Sequence, residues 1–236
     1  MSCQKNKSIW STILNREPKD TIIFVGGGAD KPTLENRILT LPCRDTYDGL
    51  CEKLIHMISA VRTLPSLRDY THILKHDDID AHCSSEAYTN ICSILNKTSL
   101  DYAGQRLFNI QPTTASSTYH YDKVPVESFW HNRPYINTYT GNKKYCGGGQ
   151  SYVLSMKAMD AVLTQWNTHN IDSLYETEIY EDLMIGKTLV AAGIQPVLKR
   201  YLVQCLDYSS LKKPMYSDRP FYIFGKGASP PFEPPS

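Results

Sequence analysis

The stretch Tyr70-Thr-His-Ile-Leu-Lys-His-Asp-Asp-Ile-Asp80 constrains this chain more than any other. Tyr70, Ile73 and Leu74 suit a short buried strand, and the run ends abruptly in Asp77, Asp78 and Asp80. Strands stop where the chain must meet water, and open α/β sheets bind their ligands at the carboxyl ends of strands. Three crowded carboxylates repel one another unless a positive charge lies between them. A hard divalent cation with oxygen ligands meets that need, and its remaining positions are open to phosphate oxygens. A solvated acidic turn would have the same composition.

The flanking sequence supplies the architecture around this strand. Thr21–Val25 is a compact β-branched run, closed by Gly26-Gly27-Gly28. Strand then glycines invites a dinucleotide-binding loop, but GxGxxG would need glycine where Lys31 stands, and Pro32 delays any helix. A tight turn fits better. Glu35–Leu41 leads into a second short hydrophobic segment. From Tyr47 the period turns helical, with Leu50, Leu54, Met57, Ile58 and Val61 on one stripe, Asp45 near the start to cap it, and Pro65 closing it. Lys53 falls off the stripe, exposed or reaching a ligand. After the acidic strand, Ser84-Ser85 offers an N-cap to a helix carrying Ala87, Ile91, Ile94 and Leu95 inward. Strand, helix, strand, helix predicts an α/β fold with a mostly parallel central sheet covered on both faces. The predicted layout is an N-terminal arm at 1–19, one domain over 20–229 and a proline-rich tail at 230–236. Within the arm, Ile9, Trp10, Ile13 and Leu14 would make one amphipathic turn.

Residues 101–144 are aperiodic and rich in Tyr, Thr, Asn and His, the character of binding loops or a lid. Tyr119, Tyr121, Trp130 and Tyr135 would either stack on a sugar or base or pack the loop itself. Gly147-Gly148-Gly149 then precede a strand at Tyr152–Ser155, and glycines there let backbone approach a ligand or another strand closely. Ser155 is placed to cap a helix with Ala158, Met159, Val162, Leu163 and Trp166 inward. Tyr180-Glu181-Asp182 opens another helix, stopped by Gly193. Acids in a first turn suit the helix dipole whether or not they do chemistry.

Composition excludes several classes. A formal net charge of +1 predicts no nucleic acid and no anionic membrane as partner. Seven dispersed cysteines without a CxxC pair match reduced thiols rather than a disulfide framework or a zinc site. No apolar run approaches bilayer length, and the polar start lacks a signal-peptide core, so the expectation is a soluble, cytoplasmic chain with no membrane anchor.

Four stretches in order resemble one family. Asp45-Thr-Tyr47…Leu50…Lys53 is similar to its "D-x-Y…L…K" helix, and Tyr70…Leu74-Lys75-His76-Asp77-Asp78 to its strand ending in "DDD". Gly147-Gly-Gly…Tyr152-Val-Leu-Ser155 resembles "GGGYVLS", and Glu181-Asp182-Leu…Gly186 resembles "EDVxxG". Together, over roughly residues 21–197, they resemble the β-1,3-galactosyltransferase and Fringe-like glycosyltransferases. The resemblance implies a GT-A-like αβα sandwich, the fold of nucleotide-diphospho-sugar transferases, and metal-dependent inverting transfer. It places Asp77 at the donor diphosphate, Mn2+ or Mg2+ at Asp78 or Asp80, and Asp182 as general base. Ile79 stands where the third acid of the motif would be, with Asp80 one position later. No histidine follows His169 to serve as the family's late metal ligand, so Asp207 or a water would replace it. Typical eukaryotic members are Golgi-anchored, and a Golgi-luminal location would apply here if an anchor had been trimmed.

The chemistry asks for the same residue types. A divalent cation neutralises a departing nucleoside diphosphate, and a carboxylate takes the acceptor hydroxyl's proton. The expected partners are therefore a nucleotide-sugar donor, a UDP-sugar above others, and a saccharide acceptor. Lys53, Trp130, Glu181 and Gly147, Gly148 and Gly149 are the remaining substrate-binding candidates. A metal-dependent phosphohydrolase or nuclease, and a non-catalytic sugar-binding relative, are the alternatives.

Overall fold

The computed structural model of the chain describes residues 7–28, 30–76, 83–110, 117–139, 141, 143–148, 151–167, 170–200 and 219–225, with backbone alone for 8–9 and 219–225. Its spine is an eight-stranded sheet. In chain order the strands are β1 (Thr21–Val25), β2 (Thr33–Glu35), β3 (Ile38–Thr40), β4 (Tyr70–Lys75), β5 (Tyr102–Gly104), β6 (Leu107–Ile110), β7 (Lys143–Cys146), β8 (Tyr152–Ser155), β9 (Val197–Leu198) and β10 (Arg219–Gly225). The large sheet runs β2-β3-β1-β10-β4-β8-β5-β9, while β6 and β7 form a separate antiparallel ribbon. The helices are α1 (Lys7–Arg16), α2 (Leu50–Thr63), α3 (Ser85–Lys97), α4 (Met156–Gln165), α5 (Ile171–Thr177) and α6 (Glu181–Ala191).

The expected mostly parallel sheet is corrected to a mixed one. Among the described residues only β1–β3 and β5–β9 pair in parallel. β10 lies between β1 and β4, antiparallel to both, and β8 lies between β4 and β5 in the same way. Two antiparallel steps restore direction, so β1, β4 and β5 do point the same way, as strand–helix alternation requires. They are not neighbours because strands from later in the chain are inserted between them.

Strand alternation assigns the two faces. Ile22 and Phe24 of β1, Ile73 of β4, and Tyr152 and Leu154 of β8 share one cluster with α2, α4 and α6. Ile23 and Val25 face the other way onto Trp10 of α1. Leu74 and Val153 pack on α3 through Ala87, Tyr88 and Ile91. Residues 7–16 form a helix with Trp10 buried, in the stretch where an amphipathic turn was expected.

Local signals explain the element ends. Asn36 and Arg37 adopt φ of 49° and 67°, the left-handed pair that a tight β2–β3 hairpin needs. Ser84 Oγ accepts the Ala87 N–H at 3.1 Å, and Ser155 Oγ accepts the Ala158 N–H at 3.2 Å, capping α3 and α4. α6 ends in a Schellman turn, in which Ile194 N donates to Leu189 O at 2.8 Å and Gly193 N to Val190 O at 3.0 Å. Gly193 takes the left-handed φ of 78° there. The residue at the N-cap of α2 is Gly49, and Asp45 pairs with Lys53 of that helix. Among the described residues no helix is long and apolar enough to cross a membrane.

Candidate active site

The site grows from the end of β4. Lys75 is two residues past Ile73 and therefore points to the same face, toward α6. It is 1% exposed. Its ammonium donates to Glu181 Oε1 at 2.5 Å and to the Gly148 carbonyl at 3.2 Å. Tyr152, opposite Lys75 in the β4–β8 register, donates its hydroxyl to Glu181 Oε2 at 2.8 Å. Both oxygens of Glu181 are therefore engaged by donors from the sheet floor, and Glu181 is itself buried.

Asp182 is the adjoining carboxyl. Its Oδ2 accepts the Gly148 N–H at 2.9 Å, and its Oδ1 accepts the Leu183 N–H at 2.8 Å. The residue keeps some surface, but enough protein encloses the carboxyl for burial to raise its pKa above the ordinary value. The Glu181 charge raises it further, while the two N–H bonds and Lys75 pull the other way. Two neighbouring carboxyls thus stand in opposed settings. Glu181 is locked by an ammonium and a phenol, and Asp182 is held by backbone and biased toward taking a proton.

Gly148 makes the join possible. A Cβ there would lie 2.5 Å from Glu181 Oε1 and 3.2 Å from Lys75 Nζ, so a side chain would push into the ion pair. At Gly147 a Cβ would meet the Phe108 ring at 2.4 Å. These two glycines allow close approach to the protein's own side chains. Glu181, Asp182, Gly147 and Gly148 are brought together. Lys53 and Trp130 are engaged elsewhere. Lys53 is buried and paired with Asp45. Trp130 is 5% exposed, donates its indole N–H to Tyr175 O at 2.7 Å, and packs with His120, Phe129 and Tyr135, which is the loop-packing role rather than an open platform. Asp77, Asp78, Asp80, Gly149 and Asp207 lie outside the described residues. Among the described residues, no group of three or more His, Cys, Asp or Glu is placed to hold a metal ion.

A polar shell backs the start of α6. His120 Nε2 faces the Arg133 carbonyl at 2.9 Å and must donate to it, so Nδ1 accepts from the Tyr180 hydroxyl at 2.9 Å. Burial lowers the His120 pKa, consistent with that neutral tautomer. Ser117 then donates to the Tyr180 oxygen at 2.6 Å. Lys187 binds Glu178 and the Tyr135 hydroxyl. Residues 117–135 are thereby tied to the helix start, and Tyr119, 66% exposed, stands beside Tyr180.

Sequence reading missed Lys75, Tyr152, His120 and Tyr180. Lys75 did leave a signal, as a lysine in phase with Ile73 inside a strand buried on both faces. No protein-family model matches the chain, and comparison with curated proteins finds no match.

Proposed function

We propose that the chain is a metal-dependent, inverting glycosyltransferase with a GT-A-like fold, moving a sugar from a UDP-sugar to a saccharide hydroxyl. The observation that carries the reading is the Gly148–Asp182 contact at 2.9 Å, which joins the glycine-rich stretch to the acidic helix start. Helices on both faces of the sheet, and β4 ending two residues before Asp77, support the fold assignment. Asp182, as general base, takes the acceptor hydroxyl's proton. The hydroxyl oxygen forms the new bond to the anomeric carbon as the bond to the diphosphate breaks, its electron pair leaving with the phosphate. Glu181, with its two oxygens already engaged by Lys75 and Tyr152, does not compete for that proton. Asp78 and Asp80 supply hard carboxylate oxygens, the donor type Mn2+ or Mg2+ prefers, and the bound cation would neutralise the departing diphosphate.

The test compares wild type with Asp182→Asn. Calorimetric titration with UDP should show tighter binding in manganese than in EDTA, and the variant should bind within roughly threefold of wild type. Turnover, found by screening UDP-sugars for manganese-dependent hydrolysis and transfer, should fall about 10²–10⁴-fold in the variant. Equal UDP affinity with and without metal would remove the cation. Near-native turnover by Asp182→Asn would remove the base, and cleavage of a generic phosphodiester instead would favour a phosphohydrolase.

A further inference from the structure

A lysine buried to 1% is an expensive choice at the floor of a site. Fold stability alone is a weak reason for it, since a buried ion pair can often be exchanged for apolar residues of similar volume without loss. What Lys75 does have is reach. One ammonium holds Glu181 Oε1 and the Gly148 carbonyl, and the N–H of the same glycine holds Asp182. We propose that Lys75 is a positioning residue for Asp182: it keeps Glu181 ionised and fixes the Gly148 turn, so that Asp182 alone of the two carboxyls is left to accept a proton. This rests on reading Asp182 as the base.

Removing the ammonium shows why. Glu181 and Asp182 would then be adjacent carboxyls that have lost the Lys75 charge, and like charges this close share a proton. The base would be divided between two sites, one of them misdirected toward Tyr152. Among the described residues, the other groups facing Asp182 supply no positive charge in its place. Cys51 of α2, Tyr102 of β5, Tyr145 and Cys146 of β7, and Tyr180 all face Asp182 electrostatically, and burial raises every one of them, so they stay neutral at physiological pH. Glu178 and Lys187 are paired with each other. Among the described residues, Lys75 and Glu181 are therefore the charges that act on Asp182, and they act with opposite sign.

The experiment is a carboxyl 13C NMR titration of Asp182 in wild type, Lys75→Met, Glu181→Gln and the double variant. Lys75→Met deletes the positive neighbour and leaves the negative one. The upper apparent midpoint of the carboxyl pair should rise by about one unit or more. Glu181→Gln does the reverse, and the Asp182 midpoint should fall by roughly one unit. The double variant should titrate below Lys75→Met and above Glu181→Gln. The acid limb of the transfer rate should move in the same directions. A residue that only fills space would change melting temperature and leave these midpoints in place. Unmoved midpoints in Glu181→Gln and the double variant overturn the proposal even if Lys75→Met fails to fold. Midpoints that move as stated, with Asp182→Asn still transferring at near-native rate, uphold the charge coupling and overturn only the base assignment.

Discussion

Asp182 carries two opposed physical demands. At the start of α6 the helix dipole favours a negative charge, typically by ~0.3–1 kcal/mol. Enclosure disfavours it, as does the Glu181 charge, and these outweigh the two N–H bonds and Lys75, so the direction is a raised pKa. The sign for stability follows. A carboxyl whose folded pKa lies above its unfolded value contributes stability that is fully present below about pH 3.8 and is lost as pH rises through the folded value. Wild type should therefore lose melting temperature relative to Asp182→Asn between about pH 4 and neutrality. Paired thermal melts across that range check it. A wild type that gains on the variant as pH rises would mean that the dipole and the two N–H bonds dominate, and the basicity argument would fail with it.

At the scale of elements, two serine caps differ in what else they hold. Ser84 Oγ caps α3 by accepting the Ala87 N–H, whereas Ser155 caps α4 and also donates to Asp101 Oδ1 at 2.7 Å. Asp101 is further bound by Lys157 at 2.9 Å. Ser84→Ala should cost about 1 kcal/mol, and Ser155→Ala roughly 2–3 kcal/mol because a hydrogen bond to a charged group goes too. Chemical denaturation with unchanged slope measures both, and equal losses would show that the Asp101 bond adds nothing. These caps, the α2 stripe, β1, and the Gly193 stop were legible because each is written in local residue spacing. Lys53 was not, because whether a lysine off the stripe meets water or a buried Asp45 depends on the fold of 43–49. Trp130 illustrates the same limit: an aromatic in an aperiodic stretch reads equally as platform or as packing until its neighbours are placed.

At the scale of the whole molecule, the sheet order was the least legible feature. Alternation of strand and helix reports direction, and β1, β4 and β5 do share one. Adjacency depends instead on which distant strand completes the sheet, and β10 comes from the far end of the chain. Its register runs Thr21↔Tyr222 and Ile22↔Phe221 on one side, and Leu74↔Tyr222 and Lys75↔Phe221 on the other. The strand that ends in Lys75 is thus held in place by residues roughly 150 positions later in the chain. A proline tests this directly, because a central strand cannot lose a donor without loss of the ladder on one side or the other. Tyr222→Pro should cost about 3 kcal/mol or more, by analogy with proline in a helix interior. For a chain of this size that corresponds to a melting temperature lower by ~6–12 °C. Tyr222→Val keeps the N–H and serves as the control for losing the ring. If the proline variant melts within a couple of degrees of the valine variant, β10 is not a central strand, and the floor beneath Lys75 must be built from other residues.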